Sequence, residues 1–187
     1  MKKLTVLVLA ICLFGSAKAQ VPVELDPTQL TVSILPLMAH FEGKIATNQS
    51  LTFGGGLAYS AYYSNINGQE NFEAYSIPFL TASFRNYYER KSTKKSNLRP
   101  NSGNYVGLLT SYGFESIIDI DLFGTVESSL DNFSIGPVWG IQRNYASGIH
   151  LDVSIGFGYV GYQSDELVSV DSGVNFIGGF EFGFRFN

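Results

Sequence analysis

The chain has 187 residues, 14% of them aromatic and 15% charged, with a formal net charge of −4 and a single cysteine. One cysteine rules out an intrachain disulfide, and the acidic balance argues against nucleic acid as a partner. No run of eighteen apolar residues occurs, so no membrane-spanning helix is expected.

Residues 1–19 read as a cleavable signal peptide. Lys2 and Lys3 are followed by the apolar run Leu4 to Phe14 and the small-x-small site Ala17-Lys18-Ala19. Cleavage there would remove Cys12 and three of the twelve basic residues. The remaining 168 residues would carry 9 basic against 16 acidic side chains, a formal charge of −7. Residues 20–29, with two prolines and little pattern, read as a short periplasmic lead.

From residue 30 to 187 the chain alternates between apolar and small or polar residues, broken by turn-like clusters. Period-two alternation is the mark of strands with two different faces. Eight strands would use about 21 residues each with their connections, which suits tilted spanning strands of about ten residues. The first strand is predicted over 30–42, although Thr31, Val32 and Ser33 do not alternate cleanly. The second, 50–63, places Leu51, Phe53, Leu57 and Tyr59 opposite Thr52, Gly54, Gly56 and Ala58. The third, 74–88, contains Pro78, which predicts a bulge or rim position because proline donates no ladder hydrogen bond. Arg85 points inward if Leu80, Ala82 and Phe84 point outward.

After a basic stretch at 89–103 comes a fourth strand, 104–113. A short fifth strand follows, in which Ile118, Ile120 and Leu122 alternate with Asp119 and Asp121. The sixth, 133–144, sets Phe133, Ile135, Trp139 and Ile141 against Ser134, Gly136, Gly140 and Gln142. A tight turn at 145–148 leads to the seventh, which carries Ile149, Leu151, Val153, Ile155, Phe157 and Tyr159 on one face. The last strand places Phe180, Phe182, Phe184 and Phe186 on one side, with Glu181, Gly183 and Arg185 between them. Four large rings on one face suit lipid. With a periplasmic N-terminus, this count sends the connections at 43–49, 89–103, 127–132 and 163–173 to the outside.

The reading is an all-β, eight-stranded antiparallel transmembrane β-barrel of up-and-down type, preceded by a signal peptide and placed in the cell outer membrane. A soluble barrel would hide its bulky face inside. Here the other face carries small or charged residues, which suits a narrow lumen. Glu42, Arg85, Asp119, Asp121, His150, Asp152, Glu181 and Arg185 are expected to form a polar lumen network that plugs the barrel and leaves no wide pore. Lys91, Lys94, Lys95 and Arg99 would meet lipopolysaccharide phosphates if their loop is external.

Three motifs invite chemistry. Residues 156–161, GFGYVG, match the dinucleotide fingerprint but lack the following helix that would hold a pyrophosphate. His40 and His150 could both face inward, and Asp152 shares a face with His150. A lumen network accounts for them without a metal. His150 and Ser154 sit four residues apart on a strand, about 13 Å, too far for a nucleophile and its base. No catalytic, cofactor-binding or metal residue is assigned.

On Gly179 to Phe186, with its alternating aromatics, the chain resembles small outer-membrane barrels of Gram-negative bacteria, OmpA-like transmembrane domains being the general case. Arg85-Asn86-Tyr87-Tyr88, Asn101-Ser102-Gly103-Asn104-Tyr105 and Pro137 to Arg143 resemble an uncharacterised group of such small barrels. The resemblance implies location and architecture, with outer-membrane lipid, lipopolysaccharide, the barrel-assembly machinery and periplasmic chaperones as partners. It implies no activity. The expected role is structural or surface-interacting, without enzymatic activity or cofactor. The alternatives are a soluble secreted or periplasmic barrel that binds an apolar ligand, and an outer-membrane lipid-modifying enzyme.

Overall fold

A computed structural model describes residues 23–66, 69–88, 98–114, 118–121, 131–163 and 172–186. Among them there is no helix. The strands are β1 (Thr28–Leu35), β2 (Leu37–Ala46), β3 (Gln49–Ile66), β4 (Gln69–Tyr88), β5 (Gly103–Gly113), β6 (Ile118–Asp121), β7 (Asp131–Asn144), β8 (Ile149–Gln163) and β9 (Gly173–Phe186). Every pairing is antiparallel. Eight strands close a ring in the order β1, β2, β3, β4, β5, β7, β8, β9 and back to β1.

The ring reaches eight by a different route from the one the sequence suggests. The predicted first strand is two strands, folded back on each other at Pro36, with Ile34 opposite Leu37. The inward residues explain the division. They are Gln29, Thr31 and Ser33 before the turn, and Met38, His40 and Glu42 after it. An uninterrupted strand cannot change from odd to even positions without turning half of them outward. Proline, unable to donate, sits at that reversal.

The predicted fifth strand, in turn, is not a separate ring strand. β4 pairs through Phe79 to Tyr88 with β5 and through Glu73 to Ser76 with β6, so β6 continues the line of β5 along one partner. The two ladders are separated at Ile77 and Pro78, and the Pro78 carbonyl accepts the Phe114 N–H at 2.8 Å; on its other side β4 pairs with β3 in unbroken register through Pro78, so the bulge or rim position expected there is not found.

This strand order corrects the expected sidedness. The start of β1, the end of β9, the turn at 47–48, the end of β4 with the start of β5, and the turn at 145–148 lie at one mouth of the ring. Pro36, the end of β3 with the start of β4, the end of β6 with the start of β7, and the end of β8 with the start of β9 lie at the other. The strands that bracket the basic segment, β4 and β5, therefore meet at the mouth where β1 begins. The turn at 145–148 is as tight as its sequence suggests. The Tyr145 N–H donates to the Ile149 carbonyl at 2.8 Å, and Gly148, at φ +89°, donates back to the Tyr145 carbonyl at 2.9 Å. A left-handed backbone of this kind suits a residue without a Cβ.

The two faces of the wall are inverted relative to a protein folded around an oily core. Among the described residues, sixteen buried side chains are polar or charged and seven are hydrophobic. The outer face carries Leu30, Phe41, Phe53, Leu80, Leu108, Phe133, Trp139, Ile155, Phe157, Phe176, Phe180, Phe184 and Phe186, all exposed. The predicted outward faces of β3, β7, β8 and β9 are found among the described side chains, with Leu51, Leu57, Ile141, Ile149, Leu151 and Phe182 half-buried and the Tyr63 side chain outside the described residues.

The wall is also uneven in height. β1 and β2 are 8 and 10 residues long, against 11 to 20 for the other ring strands. β1 meets β9 no further than Phe182, and β2 meets β3 no further than Leu57. Beyond that height, no described strand lies between β3 and the segment 173–181 of β9. The ring is closed in the half nearest the termini and open sideways in the other.

Candidate functional site: a polar plug beneath a lateral cavity

The closed half is filled by hydrogen-bonded polar side chains from around the ring. Glu42 on β2 is fully buried. Its Oε1 accepts from Ser50 Oγ at 2.6 Å and Tyr87 OH at 2.8 Å, and its Oε2 accepts from Gln142 Nε2 at 2.9 Å. Arg85 on β4 reaches across the lumen. Its Nη1 donates to Gln142 Oε1 and lies 2.7 Å from Asp152 Oδ2, while its Nε donates to Ser83 Oγ at 3.0 Å. The guanidinium sits 4.6 Å from the centre of the Tyr105 ring, and Tyr105 OH donates to Asp152 Oδ1 at 2.8 Å. Buried charge is tolerated only when paired and hydrogen-bonded, and this network supplies both.

The small residues of the inner face have a specific use at Gly140. A Cβ there would overlap the ring and hydroxyl of Tyr105. The absent side chain is what lets Tyr105 lie across the lumen and reach Asp152.

Residues 23–27, read from sequence as a lead without pattern, belong to the plug. Val23 and Leu25 are buried in a cluster with Tyr87 and Tyr105. The Glu24 carbonyl accepts from the Asn101 N–H, and the Asp26 N–H donates to Asn101 Oδ1 at 2.7 Å. Asp26 pairs with Arg185, whose Nη1 also donates to the Pro100 carbonyl at 3.0 Å. The segment closes the mouth at the termini. No strand periodicity marks it, because its contacts come from backbone and single anchors.

Of the residues expected in the lumen, Glu42, Arg85, His150, Asp152 and Glu181 come together. Arg185 lies in the rim layer with Asp26. Asp119 and Asp121 are placed apart from the cluster: their register opposite Tyr75 and Glu73 sets them at the far end of β4 from Arg85, and their side chains lie outside the described residues. Lys91, Lys94 and Lys95 also lie outside them. Arg99 stitches the terminal mouth. Its N–H donates to the Asn144 carbonyl at 2.8 Å, and its Nη2 to the Ala146 carbonyl at 3.0 Å. The GFGYVG stretch lies wholly within β8, with no helix to complete a nucleotide site. Ser154 Oγ accepts the Gly179 N–H at 3.2 Å and makes no hydrogen bond to His150.

Above the plug, in the open half, lies a cavity of about 590 Å³. Met38, Ile77, Phe79, Leu109, Val138, Val160 and Ile177 form its apolar wall, and His40, Arg85, Tyr105 and Glu181 its polar floor. Pro36, Ala58 and the stretch 176–180 line it too, and these residues border the gap between β3 and β9. The cavity therefore opens through the wall. Sequence reasoning allowed for a filled lumen only. The missed signal was the inward-facing row Ile77, Phe79 and Leu109, which interrupts an otherwise polar inner face.

No protein-family model, no curated protein and no solved structure matches this chain.

Proposed function

We propose that this chain is an integral outer-membrane β-barrel, with its aromatic outer face in lipid, its plug toward the periplasm and its cavity toward the outer leaflet. One observation carries the reading: the inverted wall, with charged and polar groups buried and large apolar groups outside. Water would oppose that distribution, whereas hydrocarbon favours it. The height of the closed ring agrees. Its shortest strands, at 8 and 10 residues, are close to the roughly 9–11 needed to cross an outer membrane. With β1 beginning and β9 ending on the periplasmic side, the far ends of β6, β7, β8 and β9 point outside, where bacterial barrels carry their longer connections. β4 and β5, which bracket the basic segment, then meet at the periplasmic mouth, so the lipopolysaccharide contact expected from Lys91, Lys94, Lys95 and Arg99 is withdrawn.

Trp139 tests the reading directly. It is the chain's one tryptophan and faces outward from β7. In vesicles of brominated phospholipid its fluorescence is expected to be strongly quenched relative to ordinary phospholipid. Unchanged emission from the folded chain would refute the lipid-facing wall.

The cavity favours a second, compatible reading, in which the barrel takes up an apolar or amphipathic small molecule from the outer leaflet. Its support is the apolar wall combined with the sideways opening, which the exposed Tyr59 on β3 and the exposed Val174 and Phe176 on β9 flank on the outer surface. A soluble apolar-ligand carrier would share the cavity but not the apolar exterior. Mass spectrometry of the chain purified in mild detergent is expected to find a co-purifying lipid, displaced when Val138→Trp fills the cavity. Equal lipid in both would refute it.

A further inference from the structure

Two buried imidazoles and one carboxylate converge where the plug meets the cavity. Ring nitrogens of His40 and His150 and an oxygen of Glu181 all lie within 4.8 Å of one another. His40 Nδ1 is 3.1 Å, and His150 Nε2 3.9 Å, from Glu181 Oε2. Neither approach is aligned as a hydrogen bond. Both ring nitrogens of His40, Nε2 of His150 and Oε2 of Glu181 are buried without a hydrogen-bond partner. We propose that His40, His150 and Glu181 form a binding site for a divalent transition-metal ion of the zinc class.

Asn144 supplies the first argument. Its Nδ2 donates to Gln29 Oε1 at 3.0 Å, to the Pro100 carbonyl at 3.0 Å and to the Asn101 carbonyl at 3.1 Å. A reversed amide would set its oxygen against three acceptors, so Oδ1 is the atom facing His150 Nδ1 at 2.7 Å. Oδ1 accepts, and Nδ1 therefore carries the proton. That leaves a lone pair on His150 Nε2, directed at the side of Glu181, itself an acceptor. Two lone pairs facing each other repel unless a cation lies between them. Metal-ligating histidines are commonly oriented in this way, with the second ring nitrogen donating to a fixed oxygen.

Charge supplies the second argument. Among the described residues, Glu42, Asp152 and Glu181 face one permanent cation, Arg85, while Arg185 is engaged by Asp26 at the rim. The layer holds a formal charge of −2, which a divalent ion cancels. Two imidazoles with one carboxylate are also a zinc-type donor set, in which ligand atoms about 2.0–2.2 Å from the metal stand roughly 3.3 Å apart. The present 3.1 and 3.9 Å separations need only small side-chain rotations. His40 and Glu181 also line the cavity, so a fourth coordination position faces it. The site does not depend on the wall facing lipid, since a water-soluble chain of this fold would bind the metal equally.

The test uses the untagged full chain, purified in detergent and stripped with chelator. Zinc chloride is titrated by calorimetry, bound zinc is counted by elemental mass spectrometry, and cobalt(II) is read by visible absorption. The expected result is one zinc per chain and the intense cobalt bands of a low-coordinate nitrogen and oxygen site. His40→Gln and His150→Gln, each shown to keep the parent's circular dichroism, should lose at least 100-fold in affinity. Asn144→Ala should lose about 10- to 100-fold by releasing the His150 ring. Failure of the parent to bind zinc near 1:1 would mean that a proton shared by His40 and Glu181 fills the role instead, and would overturn the proposal. Histidine variants that bind as tightly as the parent would overturn it too. If neither variant folds, weak octahedral cobalt bands from the parent chain would do the same.

Discussion

Arg85 is the cation around which the plug is built, and Arg85→Met tests whether that network stabilises the barrel. Methionine keeps most of the volume of the side chain but removes its charge and its donors. Lost with them are the pairing to Asp152 at 2.7 Å, the hydrogen bonds to Gln142 and Ser83, and the stacking over Tyr105 at 4.6 Å. At an effective dielectric near 20, unit charges ~4 Å apart attract by ~4 kcal/mol. Breaking one side of a buried pair costs about 3–5 kcal/mol, because the partner is left desolvated. Here three carboxylates lose their common counter-charge, so the expected destabilisation is ~3–5 kcal/mol. Reversible guanidinium unfolding in phospholipid vesicles, followed by Trp139 emission, measures it. Asp152→Asn in the same chain should restore at least about 1 kcal/mol by removing one uncompensated charge. A loss below about 1 kcal/mol for Arg85→Met would show that the plug does not depend on its charge pairing.

Leu108→Arg on the outer face of β5 separates the two possible solvents. In hydrocarbon it should cost about 2–4 kcal/mol near the bilayer midplane, whereas a water-facing surface would tolerate it within about 0.5 kcal/mol; the same vesicle unfolding experiment decides. Gly140→Ala pushes against the Tyr105 ring and should cost about 1–3 kcal/mol by forcing that ring off Asp152. The loss should shrink in a Tyr105→Phe background, and equal losses in both backgrounds would refute the packing argument.

How far the sequence could be read depended on which interactions specify each part. The faces of β3, β7, β8 and β9 were legible because alternation alone sets them, and burial of one face punishes any slip. The inward placement of Arg85 followed from its apolar neighbours in the same way. The β1–β2 hairpin was not legible, since its turn is a single proline between two short apolar stretches, with no glycine or asparagine to announce it. Only the change of inward parity between Ser33 and Met38 reveals it, and that needs the structure. β6 misled because its local alternation is good, and pairing partners leave no trace in local pattern. In the site, the carboxylates and Arg85 stood out as charges on a strand face. Their long-range partners did not: Glu42 to Gln142 spans 100 positions, and Asn144 to Gln29 spans 115. His40 and His150 could be placed inward, but their convergence on Glu181 depends on β2, β8 and β9 meeting around the closed ring.

The length of the β1–β2 hairpin governs both halves of the lumen. Its inner face supplies Gln29, Thr31, Ser33, His40 and Glu42, without which the plug and the metal ligands would be incomplete. Its tip at Pro36 ends level with Phe182 and Leu57, which is why the cavity above has an opening. Inserting two residues on each side of Pro36 should lengthen the wall by roughly 7 Å, because each strand residue rises about 3.4 Å. An even insertion preserves which side chains face in, so the plug should be unaffected; a single residue on each side would invert the tip. With Cys12 replaced and Val138→Cys as a reporter in the cavity, a lipid-soluble maleimide should label the parent chain rapidly. The extended chain should be labelled at least tenfold more slowly, at unchanged stability. Equal labelling of both would show that small molecules reach the cavity by the open mouth and not through the wall.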